Sequence, residues 1–197
     1  MKRIILVLLF MGMNINIFTQ SYDLNYTVEY ALKDARGTVL SKLKLYRNGN
    51  KLKFVKIDNA GKANETTTDI YILKDEAKVY TIVSNSAGKF GTQKALDLMY
   101  VGMQTGVYII DLGNDSTSFN SRTRAGTGTV LGMECVKYTI ASNAEASSDY
   151  YMYQDNLMLK RSVGSSAEGN TIEALSFDNT TPVQESLFVL PADVTYY

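Results

Sequence analysis

The chain has no histidine and no tryptophan, one cysteine and two prolines in 197 residues. Without histidine, the commonest general base and metal ligand is missing, and no Ser-His or Cys-His nucleophile pair can form. One cysteine excludes a disulfide within the chain, although exported cysteines usually pair. Charge is balanced, with 20 Lys+Arg against 20 Asp+Glu, and losing Lys2 and Arg3 with a leader would make the remainder slightly acidic. Such a surface has no electrostatic reach for phosphate backbones, so nucleic acid is not an expected partner. Past the leader, no apolar run approaches the roughly 20 residues a bilayer helix needs. No transmembrane segment is therefore expected once the leader is gone.

At the N-terminus, Lys2 and Arg3 precede an apolar run, Ile4 to Met13, that Asn14 and Asn16 interrupt. This is the layout of a secretory signal peptide. Residues 1–20 read as signal and 21–197 as a single domain, exported to the periplasm or the extracellular space.

The body of the chain alternates short β patterns with turn residues. Leu24, Tyr26, Val28 and Tyr30 share a face, and Asn48-Gly49 marks a tight hairpin returning through Lys51–Ile57. Strands are expected again at Thr67–Leu73, Lys78–Val83 and Tyr108–Leu112. They continue at Thr129–Ile140, Asp149–Tyr153, Leu157–Val163, Thr171–Phe177 and Ser186–Leu190. The spacing of Ala95, Leu96, Met99 and Met103 predicts a helix over Thr92–Met103. The polar stretch Gly113–Gly128 reads as a loop or an irregular edge. One mostly antiparallel β domain is the expectation.

Candidate chemistry is sparse. Cys135 sits mid-pattern with Leu131 and Met133, so it reads as a small buried hydrophobe; only Lys137 could lower its pKa. The glycine-rich runs 124–132 and 164–170 lack the lysine and following helix of a phosphate loop. Oxygen side chains at Asp58, Asn59, Asn64, Glu65 and Asp69, and at Asp111, Asn114 and Asp115, do not match a calcium loop. No metal, cofactor or catalytic residue is assigned.

Four C-terminal patterns carry a likeness: Gly132–Tyr138 (GMECVKY), the aromatic strand Tyr150–Tyr153, Leu157–Lys160 (LMLK) and Phe188–Asp193 (FVLPAD). In that order they resemble exported domains of unknown function in the superfamily of periplasmic lipoprotein-localisation carriers, over roughly residues 125–195. The resemblance implies a mainly β fold: a strongly curved antiparallel sheet forming an unclosed barrel, with one or two short helices. It also implies a hollow that holds an acyl chain, with a lipid or a lipidated protein as partner.

The 14 tyrosines and the methionines supply apolar, adaptable lining for such a hollow. Tyr26, Tyr30, Leu96, Met99, Met103, Met133, Tyr151 and Tyr153 are its candidate residues, although cross-strand aromatic pairs also serve plain core packing. The leading expectation is an exported, non-enzymatic binding domain for an acyl chain or other apolar ligand. The alternative is a structural or interaction domain with a solid core.

Overall fold

The computed structural model describes residues 24–110, 122–141, 147–163 and 170–197. Residues 1–20, expected to be a signal segment, and the second oxygen cluster at Asp111, Asn114 and Asp115 lie outside them.

Strands β1 (Asn25–Lys33), β2 (Val39–Asn48), β3 (Lys51–Asp58), β4 (Thr66–Leu73), β5 (Lys78–Asn85) and β6 (Gly88–Ala95) form an antiparallel meander. Helix α1 (Leu98–Thr105) follows, then β7 (Thr123–Val130), β8 (Met133–Ala141), β9 (Ser147–Tyr153), β10 (Leu157–Val163) and β11 (Thr171–Asp178). All belong to one 11-stranded sheet in the order β6-β5-β4-β3-β2-β1-β11-β10-β9-β8-β7. The first and last strands pair, antiparallel, at its centre, and β6 and β7 are its edges. Sheets this wide curl rather than lie flat. The chain forms the expected mainly β, unclosed antiparallel sheet, with one short α-helix among the described residues.

The inner face is built by alternation. Tyr26, Val28 and Tyr30 of β1 lie opposite Arg47, Leu45 and Leu43 of β2, and Leu45 opposite Phe54 of β3. Ile70, Ile72, Val79, Met152, Met158 and Ile172 extend the same buried cluster, joined by Val101 of α1 and by Val107 and Ile109 after it. The Asp97 carboxylate caps α1, accepting from Met99 N at 2.9 Å and Tyr100 N at 3.2 Å. Gly106, at φ 72°, ends it.

The centre of the sheet has a split. β10 and β11 stay in register only at Lys160–Glu173, Arg161–Ile172 and Ser162–Thr171. Where they part, Tyr108–Ile110 fills the gap beside β10: Met158 N donates to Tyr108 O at 3.0 Å and Ile110 N to Asn156 O at 3.0 Å.

On the outer face, the chain beyond β11 runs back across the meander as a strap. Asp178 accepts bonds from Thr181 and Thr180, which hold its carboxyl well below the usual carboxylate range. Val183 bonds to Asn25 and Asn48. Leu190, Val194 and Tyr196 then cover Tyr71, Leu73, Tyr80 and Ile82 in a second buried cluster. Tyr197 N donates to Gly91 O and Gln93 N to Tyr197 O, so the strap closes one edge of the sheet.

Three expectations are corrected. The helix begins at Leu98, because Gly88–Ala95 pair with β5 and the run Thr92–Ala95 is strand. Thr129–Ile140 is a hairpin, broken where Leu131 and Gly132 adopt φ 53° and 77°. Ser186–Leu190 forms a 3-10 turn (Glu185–Phe188) and strap, with Pro191 immediately beyond. Where it is described, the polar stretch is the irregular edge that was the other expectation: Thr123–Gly128 is edge strand, with a register shift between Arg124 and Gly126.

Gly91 is the contact on which strap docking turns. A Cβ there would lie 2.5 Å from Val194 Cγ1 and 2.9 Å from Thr195 O. Gly91→Val is expected to cost about 1–3 kcal/mol in urea unfolding and to make the strap cleavable by protease while the sheet stays intact. Unchanged stability and protection would show that the strap does not depend on this approach.

Candidate functional site

The candidate lining residues separate by location. Tyr26 and Tyr30 are 0% and 1% exposed within the inner cluster. The Tyr30 hydroxyl donates to Met158 O at 2.9 Å, across the split between β10 and β11. Tyr26 accepts from Arg47 Nη1 at 3.4 Å and packs against Phe177, with ring centroids 5.6 Å apart. Tyr153 meets Phe177 from the other side at 5.5 Å.

Tyr151 stands opposite Lys137 and Lys160, with its ring over Gly128, and is partly buried against the same cluster, as is Tyr153. Leu96 and Met133 are partly buried against the core. Met99 and Met103 stand outward on α1, 55% and 72% exposed, because the helix turns Val101 and Thr105 inward instead. The structure thus brings Tyr26 and Tyr30 together and places the two α1 methionines at the surface.

Cys135 is buried, 1% exposed. Burial pushes its thiol above the ordinary value, with a smaller contribution from Glu134, while Lys137 carries a salt bridge to Asp149 at 2.9 Å. The lone thiol is packing. Around it, Tyr138 donates to Asp155 at 2.5 Å, and burial together with that carboxylate raises the phenol's pKa.

Among the described residues, no cluster of three or more acidic or thiol side chains is placed to hold a metal. No helix among them is long and apolar enough to cross a membrane.

Three clefts open on the outer face. One of about 340 Å³ lies between the strap and the turn after β4, lined by Lys51, Leu73 and Phe188. One of about 360 Å³ lies at the root of the strap, beside Tyr46 and Pro182. The third, about 390 Å³, is floored by Tyr46, Val55, Ile57 and Leu175. Sequence reading did not single out these residues. The available signal was that Val55 and Ile57 alternate against Leu52 and Phe54, leaving β3 apolar on both faces.

The FVLPAD segment also acquires a physical role. Phe188 is buried at the strap's turn, and Asp193 pairs with Lys89 at 2.8 Å.

No protein-family model matches the chain, and no curated protein matches it in sequence. Among solved structures it is similar to MucB in the MucA/MucB complex of Pseudomonas aeruginosa, with a TM-score of 0.52 at 9% identity over 86% of this chain and 57% of that one. It is likewise similar to MucB in complex with MucA(peri), with a TM-score of 0.50 at 10% identity over 86% of this chain and 56% of that one. The likeness is one of fold, and this chain spans somewhat more than half the length of those neighbours.

Two outcomes check the packing. Tyr30→Phe strands a buried carbonyl and is expected to cost about 1–2 kcal/mol in denaturant unfolding; no loss would mean that Met158 O is satisfied without it. Cys135 is expected to ignore a thiol reagent such as Ellman's in the native state and to react fully on unfolding. Rapid native labelling would contradict its burial.

Proposed function

We propose that this protein is an exported, non-enzymatic interaction domain that binds a partner protein on the surface of its open sheet. The observation that carries the reading is the inner face itself. The side chains first expected to line a hollow, Tyr26 and Tyr30, are fully buried and bonded to other parts of the chain. An acyl chain lodged there would have to displace those rings and break the Tyr30–Met158 bond, losing buried contacts worth about as much as it gained.

Other features agree with this reading. The absence of histidine leaves no ready base or nucleophile pair. The fold is shared with MucB, which has been solved in complex with MucA. Export is supported by the basic and apolar start of the chain, Lys2 to Met13.

Native mass spectrometry of the protein released gently from the envelope of its source organism tests the reading. A bound second polypeptide is expected. Mass increments matching acyl lipids, with no polypeptide bound, would contradict it and restore the acyl-carrier alternative.

A further inference from the structure

The strap dresses only part of the outer face. Over β4, β5 and β6 the strap lays Leu190, Val194 and Tyr196 on the apolar floor. Its carboxylates meet the surrounding lysines, Glu185 with Lys51 and Asp193 with Lys89. Apolar side chains interleaved with carboxylates are thus what this face already accepts.

Beyond the strap's root at Asn25, Asn48 and Lys51, the floor over β1, β2, β3 and β11 stays open. Tyr46, Val55, Ile57 and Leu175 line the cleft of about 390 Å³ there. Leu175 is presented by a bulge: the β1–β11 register passes from Glu29–Ser176 to Tyr30–Ala174, leaving Leu175 unopposed and 52% exposed. The neighbouring cleft shares Glu29, Lys44 and Tyr46 and leads to Pro182 and Leu187 at the root of the strap, so one trough continues from covered to uncovered floor.

The rim has the same sign of charge as the lysines the strap uses. Lys44 is paired with Glu29 at 2.9 Å. Lys42 stands in register between Ala31 and Ile57 and has no carboxylate partner among the described residues. The uncovered part therefore offers an apolar floor beside Lys42, whose ammonium no carboxylate among the described residues compensates.

We propose that this part of the outer face docks an extended segment of the partner protein in which large apolar residues are interleaved with carboxylates, matching the chemistry of the chain's own strap. The inference rests on the partner-binding reading and adds where the partner sits and what it carries. The apolar side chains enter the Tyr46–Ile57–Leu175 cleft, and a carboxylate meets Lys42.

A strap-derived peptide, ESLFVLPAD (residues 185–193), serves as the probe, titrated into the whole mature protein carrying labelled Ile, Leu and Val methyls. Saturable shifts are expected at Val55, Ile57 and Leu175. Lys42→Glu in the protein is expected to weaken binding about tenfold, as is Glu185→Lys with Asp193→Lys in the peptide.

Shifts confined to Leu73, Ile82 and Val194 would mean that the peptide merely exchanges with the strap, and would overturn the assignment. Equal affinity for both peptides would overturn it too. Self-association of the protein alone that shifts the same methyls would give the face to a second copy, again against the proposal. If the peptide leaves these methyls unmoved while a polypeptide is found bound in the envelope, the site assignment falls and the partner-binding reading stands.

Discussion

A single sheet of 11 strands must bury one face with almost nothing to lay against it, since the described residues supply only one helix, of 8 residues. The split between β10 and β11 resolves this. By parting below Lys160–Glu173, the two strands open a slot that Tyr108–Ile110 enters and that the Tyr30 hydroxyl spans. The backbone groups freed by the split are thereby satisfied within the chain, as buried polar groups must be. Val101, Val107 and Ile109 are carried onto the inner face by the same insertion.

From that constraint follows the division of labour between the two faces. The inner face is closed by the chain's own rings and aliphatic side chains. The outer face is built differently: a strap covers part of it, and Leu175 is held out by a bulge beyond it. The clefts of about 340–390 Å³ described above lie on the outside of the curl, within the size range of recognition sites. The likeness to MucB, at 9–10% identity, is one of architecture.

Much of the fold was legible from residue order, because alternation and turn chemistry are local. The Asn48-Gly49 hairpin and the Tyr26, Val28, Tyr30 face needed nothing beyond their neighbours. What could not be read depends on distant partners. Gly88–Ala95 has the composition of a loop and becomes a strand because β5 supplies a full ladder. The stretch around Cys135 looked like one strand because nothing in Val130-Leu131-Gly132-Met133 forces a turn except the positive φ that Leu131 tolerates there. The helical spacing of Met99 and Met103 was real, yet it marked the exposed side of α1, since the buried side is set by Val101 and Thr105 meeting the sheet. The outer cleft was hidden for the same reason: Leu175, Tyr46 and Ile57 meet only through pairings set by a bulge.

The central claim is that the inner face is a solid core, and xenon tests it most directly, because dry apolar cavities take up the gas. Titrating xenon against the protein with labelled Ile, Leu and Val methyls is expected to produce no saturable shift at the methyls of Val101, Ile109 and Leu157. Saturable binding at those methyls would reveal an unfilled hollow between the sheet and α1, and would contradict the account.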